Sequence, residues 1–170
     1  VQHQDVQRHG DVHGGAEASQ GVREVAAVGI GAGDGVATGE QDAGDGGHVH
    51  PADAYEVDDT AALATIFPVG DVEQHNFNSA LDEDWVKFYA PAGLFFNIEA
   101  TQLGDHSDLR LDLYCEQPDG SLLFVNSADN YGSGAGFTES TTVDLKTGTS
   151  GLVPGVYYVR VSSADTNLFG

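Results

Sequence analysis

From residue 51 onward the sequence predicts an all-β fold, an antiparallel β-sandwich of jelly-roll-like arrangement. Three observations carry this expectation. Short segments alternate apolar and polar side chains, as in LRLDLYC over 109–115. Turn signals separate them, at Pro91-Ala92-Gly93, Asp119-Gly120 and Pro154-Gly155. No stretch sustains a 3.6-residue period, and DDTAALAT over 58–65 offers one helical turn at most.

The elements follow in order. EQHNFN (73–78) alternates around Phe77. In DWVKFYA (84–90), Trp85, Lys87 and Tyr89 fall on one face of a strand and Val86 and Phe88 on the other. Trp85 is expected to pack in the core. LFFNIEAT (94–101) follows the Pro-Ala-Gly turn. LRLDLYC sets Leu109, Leu111, Leu113 and Cys115 on one face and Arg110, Asp112 and Tyr114 on the other. Asp119-Gly120 marks a hairpin into SLLFVN (121–126). After the glycine-rich YGSGAG (131–136) come FTESTTVDL (137–145) and GVYYVRVSS (155–163). Tyr157 and Tyr158 are adjacent, so only one of them can face the core. The Cys…Trp…Cys spacing of immunoglobulin domains is absent, which favours the jelly-roll-like arrangement.

Residues 1–50 have another character. They hold no Phe, Tyr, Trp, Leu or Lys, whereas all 15 aromatics of the chain lie beyond them. Small side chains bury too little area to offset the entropy of ordering a backbone. This half is expected to be low-complexity and disordered, and residues 51–170 to form the folded domain. HQDV (3–6) and HGDV (9–12) are two copies of a short pattern, too few for a solenoid. HVHPAD brings His48, His50 and Asp53 close in sequence, a pattern able to hold zinc or copper but more often a solvated tract.

Formal net charge is −21, from 6 basic and 27 acidic residues. Such a chain repels phosphate backbones and anionic lipid, so neither nucleic acid nor membrane insertion is expected. No run of 18 apolar residues is present, and the first residues lack the basic-then-apolar pattern of a signal peptide. The single cysteine, Cys115, rules out an internal disulfide and is expected to be a small buried hydrophobe.

The acidity is concentrated. Asp53, Glu56, Asp58 and Asp59 fall within seven residues, with no Lys or Arg between Arg23 and Lys87. Asp82 and Asp84 lie two apart at a strand start and so point the same way, opposite to Glu83. Ordinary turn solvation explains aspartates of this kind about as readily as ligation does.

Seven motifs in order carry a resemblance. They are Y-E-x-D-D-T-x-x-x-A (55–64), Q-H-N-F (74–77), D-x-D-W-V-K-F-Y-A (82–90), A-G-x-x-x-x-I-E (92–99), L-x-L-Y (111–114), N-x-x-D-N-Y-G-S-G (126–134) and G-x-Y-Y-V-R-V (155–161). Together they resemble the bacterial pre-peptidase C-terminal domain over roughly residues 53–170. The resemblance implies a β-sandwich accessory module, not itself catalytic, of a secreted bacterial peptidase or other extracellular hydrolase. Its partners would be the parent hydrolase domain in cis and a protein or polysaccharide substrate. Related collagenase domains bind calcium, and the matching positions here are Glu56, Asp58, Asp59, Asp82 and Asp84. The family usually continues beyond the Y-Y-V-R-V strand, so the resemblance implies that a last strand is missing and a sheet edge left open. Cys115 stands where the family more often has Asp.

Calcium suits this donor set: it takes six to eight hard oxygens, whereas zinc prefers His or Cys and magnesium demands strict octahedral geometry. If the segment 53–60 folds over the start of the Asp-Trp strand, its carboxylates and those of Asp82 and Asp84 converge on one ion. Asp129, Asn130 and the glycines after them could form a second cation loop, though a plain turn explains them better. Independent catalysis has little support. A Glu56–Asp82 pair could imitate a glycosidase and His75 or His106 could join a serine, yet G-x-S-x-G, H-E-x-x-H and a P-loop are all absent. The runner-up function is a structural or adhesive extracellular module.

Overall fold

A computed structural model describes residues 23–30, 52–79, 81–102, 108–129, 137–146, 148 and 150–165. Among the described residues nine strands make up two sheets: β1 (Arg23–Ile30), β2 (Thr65–Ile66), β3 (Gln74–His75), β4 (Glu83–Ala90), β5 (Phe95–Gln102), β6 (Leu109–Glu116), β7 (Leu122–Ala128), β8 (Thr138–Asp144) and β9 (Gly155–Ser163). Among the described residues there is no helix. The all-β expectation therefore holds. One sheet has the order β3-β1-β5-β8 and the other β2-β4-β9-β6-β7.

The pairings β4–β9, β9–β6, β6–β7 and β5–β8 are antiparallel, as expected. Three others are parallel: β1 with β3, β1 with β5, and β2 with β4. Parallel partners need a long connection between them. That condition is met here, because β1 and β5 lie far apart in sequence.

Strand β1 falls within the first fifty residues. REVAAVGI lies in the ladder of β5 from Arg23 against Phe95 to Ile30 against Gln102. Val25, Val28 and Ile30 are β-branched and suit a strand. The pairing satisfies the backbone groups of β5 on the side away from β8. The other residues of 1–50, including His48 and His50, lie outside the described residues. So do His106, Asn130 and the YGSGAG loop.

Alternation decides what enters the core. Phe96, Ile98 and Ala100 of β5 and Val143 of β8 meet Val86 and Phe88 of β4, Leu109, Leu111, Leu113 and Cys115 of β6, and Tyr157, Val159 and Val161 of β9 in one apolar cluster. The Phe88 ring lies 5.6 Å from Phe96 and 5.9 Å from Tyr157, which joins the two sheets. Each such large side chain contributes roughly 1.5–3 kcal/mol by burial. Cys115 is buried and free, as expected. Of the tyrosine pair, Tyr157 is fully buried and donates its hydroxyl to the Val153 carbonyl at 2.8 Å. Tyr158 lies on the opposite face, under the ammonium of Lys87.

Trp85 is buried but outside this core. It lies on the far face of its sheet, where it stacks on Tyr114 at 5.3 Å and under the Arg160 guanidinium. That face is held by charge: Asp112 is gripped by Arg110 and Arg160, and Arg160 also reaches Glu83 at 2.9 Å. The Asp119-Gly120 signal forms its hairpin turn between β6 and β7. Gly120 takes φ +82°, and its N–H donates to the Gln117 carbonyl at 2.9 Å. Strand β9 is paired on both sides, and among the described residues the sheet edges belong to β2, β7, β3 and β8.

Candidate metal centre

The segment 52–60 crosses the start of β4 as a strap. The Trp85 N–H donates to the Asp58 carbonyl at 3.1 Å, which fixes the strap to β4. Asp53 fixes it to β3: its carboxylate accepts the Asn76 N–H at 2.8 Å and, locally, the Tyr55 N–H at 2.7 Å. Glu56 accepts from the Asn78 side-chain amide, and Asp82 accepts the Asn78 N–H at 2.6 Å. The strap thus folds back as the sequence analysis required.

It does not deliver its acids to one point. Glu56, Asp59 and Asp82 form one group, with one oxygen from each lying within 4.8 Å of the others. Asp84 turns instead to Asp53 and His75, which meet the same distance limit. Asp58 joins this second group, with Oδ2 at 3.9 Å from His75 Nδ1. The five sequence-predicted residues are therefore divided, three to the first group and two to the second. Asp82 and Asp84 do share a face, as alternation demands, and Glu83 points away to Arg160 and Trp85 Nε1.

The sequence does not single out His75 or Glu73 as ligands, and it sets Asp53 in the acidic run and beside His48 and His50 in HVHPAD. Positions 73, 75 and 77 are buried while 74 is exposed, so the alternation of EQHNFN holds a usable signal. It carries Glu73 and His75 inward beside Phe77, and an inward Glu-x-His next to an acidic strap is the sign to look for.

The His75 imidazole is fully buried, with Nδ1 facing Asp84 at 3.5 Å, Asp53 at 3.7 Å and Asp58 at 3.9 Å. Nε2 faces Glu73 at 3.6 Å. The Tyr55 ring covers the imidazole at 4.7 Å. These distances give electrostatic contact without a hydrogen bond. Both His75 nitrogens, both Asp84 oxygens, Asp58 Oδ2 and Glu73 Oε2 are buried with no hydrogen-bond partner. A buried charged group in this condition costs several kcal/mol unless something else compensates.

Titration follows the same logic. Burial, then the Asp84 charge, pushes Asp58 up to about 7. Burial lifts Asp84 to about 6 against the pull of His75. Burial lifts Asp82 to about 6 as well, aided by Glu56 and Asp59 and resisted by the Asn78 N–H. Burial also raises Glu73. For His75 burial favours the neutral ring, but Asp84, Asp53 and Asp58 prevail and its pKa rises. Among the described residues, Arg110 and Arg160 do not relieve this charge, because they are engaged by Asp112 and Glu83 on the outer face.

The donor set fits a divalent cation. Glu56, Asp59 and Asp82 each bring one carboxylate oxygen to the group, and Asp59 opens it to solvent. Carboxylate oxygens of this kind are donors for hard dications. No family model matches the chain, and no curated protein matches it.

Proposed function

We propose that this chain is a non-catalytic accessory module of a secreted bacterial hydrolase, held in shape by calcium at Glu56, Asp59 and Asp82. One observation carries the reading: an acidic strap crosses the mouth of an all-β scaffold and brings three carboxylates from separate places together beside Asn78. Burial, then the charges of Glu56 and Asp59, raises the pKa of Asp82, and like charges gathered in this way favour opening of the strap unless a cation balances them. Extracellular calcium, at roughly millimolar concentration, would supply that balance for a site of the weak extracellular class. The ordered motifs that resemble the pre-peptidase C-terminal domain support the accessory role, localisation outside the cell, and a peptidase or other hydrolase in cis.

In this role the module performs no bond-breaking step. It positions or retains its parent enzyme, or contacts a protein or polysaccharide substrate. The test is the flanking reading frame together with secretion of the encoded protein. A hydrolase domain in the same frame, and loss of secretion or substrate retention when the module is deleted, is the expected outcome. Tandem copies of this domain without a hydrolase would overturn the reading in favour of an adhesive surface module.

A further inference from the structure

We propose that His75, Asp53, Asp58 and Asp84 form a second metal site, separate from the calcium group and selective for a first-row transition dication such as Zn²⁺. The inference stands on this cluster alone and does not depend on the accessory role.

Four observations support it. The first is donor chemistry. An imidazole with carboxylates suits zinc and its neighbours, whereas calcium takes oxygen. The second is spacing. Tetrahedral arms of 2.0–2.2 Å place neighbouring ligand atoms about 3.3–3.6 Å apart. His75 Nδ1 lies 3.5, 3.7 and 3.9 Å from Asp84, Asp53 and Asp58. His75, Asp53 and Asp84 already bring one ligand atom each within 4.8 Å of the others, and Asp58 would have to swing in from beside His75 to complete the set.

The third is the set of orphaned groups. Asp84 and His75 are each 1 % exposed, and neither Asp84 oxygen nor His75 Nδ1 has a hydrogen bond. His75 Nδ1 and Asp84 Oδ1 lie 3.5 Å apart, about the separation that two ligands of one ion keep. The fourth lies behind the ring. Glu73 faces Nε2 at 3.6 Å, the place of the carboxylate that fixes the tautomer of a metal-bound histidine. With the proton held on Nε2, the Nδ1 lone pair is left for the metal. Tyr55 over the ring keeps its plane in place. Asp53, 11 % exposed, marks the side by which an ion reaches the site.

In this arrangement His75, Asp53, Asp58 and Asp84 are ligands, and Glu73 is a positioning residue. The four ligands join the strap (Asp53, Asp58) to β3 and β4. A bound dication would thus lock the strap at the point where Asp58 and Trp85 already share a backbone hydrogen bond.

The experiment uses the full chain with His3, His9, His13, His48, His50 and His106 replaced by Gln, so that His75 is the only imidazole. After EDTA treatment, Co²⁺ is titrated and the visible d–d bands of a tetrahedral site are followed. The expected result is a single Co²⁺ taken up, displaced by Zn²⁺ and not by excess Ca²⁺. His75→Gln and Asp84→Asn should abolish the bands, and Glu73→Gln should weaken binding about 10–100-fold. Asp59→Asn, in the calcium group, should leave the bands unchanged, which separates failure here from failure of the calcium reading. A second measurement needs no change at the site. In the ¹⁵N spectrum Zn²⁺ should shift His75 Nδ1 strongly while Nε2 keeps its proton. Absence of tetrahedral bands, an unmoved Nδ1 signal, or displacement by calcium would each overturn the proposal.

Discussion

Replacing Asp84 by Asn should stabilise the cation-free protein at neutral pH and abolish its response to transition metal. The magnitude follows from burial. Asp84 is 1 % exposed, and its pKa stands at about 6 against an ordinary 3.8. Each pH unit is worth about 1.4 kcal/mol, so keeping this carboxylate ionised costs about 3 kcal/mol. The folded pKa is the raised one, so the folded state holds its proton longer than the unfolded chain. Stability is then full below 3.8, falls between 3.8 and about 6, and stays reduced above that. Asn keeps the shape and cannot ionise, but it forfeits the attraction to His75. A net gain of about 1–3 kcal/mol is expected in EDTA at about pH 8. Thermal melts by circular dichroism at about pH 4 and about pH 8, for both proteins, read this directly. Wild type should lose more stability than the variant across that interval. If Asp84→Asn is instead the less stable protein in EDTA at the higher pH, the carboxylate serves the fold without a cation and the reasoning fails.

Other expectations concern the scaffold. Asp112 is buried between Arg110 and Arg160, and hydrogen bonds from Ser127 and both arginines overcome its burial to hold its pKa below 3.8. Asp112→Asn should cost about 2 kcal/mol in denaturant melts, since both arginines are partly exposed. The Asp112 contribution should be present above 3.8 and vanish as pH falls through the lowered folded value. Gly120→Ala meets no atom within 4 Å but must adopt φ +82°, so backbone strain alone should cost about 1–2 kcal/mol. Cys115, 3 % exposed, should resist thiol reagents in the folded protein and react at the rate of a free thiol once urea unfolds it.

Much of the scaffold was legible because it rests on local alternation. LRLDLYC put Leu109, Leu111, Leu113 and Cys115 in the core without any knowledge of their partners. Asp119-Gly120 announced its hairpin because a left-handed residue is a local requirement. Strand β1 was hidden because it lies in a stretch of the sequence with no aromatic residue or Leu. Its strand state depends on a distant ladder with β5. The same distance hides the parallel pairings. Trp85 shows a different limit. Alternation placed it opposite Val86, but hydrophobicity argued for the core, and the stack with Tyr114 and Arg160 that buries it is a tertiary fact.

The site divides in the same way. Acid density in the strap and the shared face of Asp82 and Asp84 were visible in the sequence. Which acid meets which depends on contacts across more than twenty residues, such as Asn76 with Asp53 and Asn78 with Glu56. In the sequence His75 stands out only as a conceivable partner for a serine, because a single histidine in a strand usually packs or pairs quietly. Only the carboxylates around it give it another meaning.

The most direct measurement is the thermal midpoint of the EDTA-stripped full chain as calcium is added. A site with a dissociation constant of about 10 μM, in about 1 mM calcium, adds about 2.7 kcal/mol to stability. The midpoint should climb accordingly in the wild type and stay flat in an Asp59→Asn/Asp82→Asn double variant. A wild-type midpoint indifferent to calcium, or an equal climb in the double variant, would contradict the view that an ion fastens the strap at Glu56, Asp59 and Asp82.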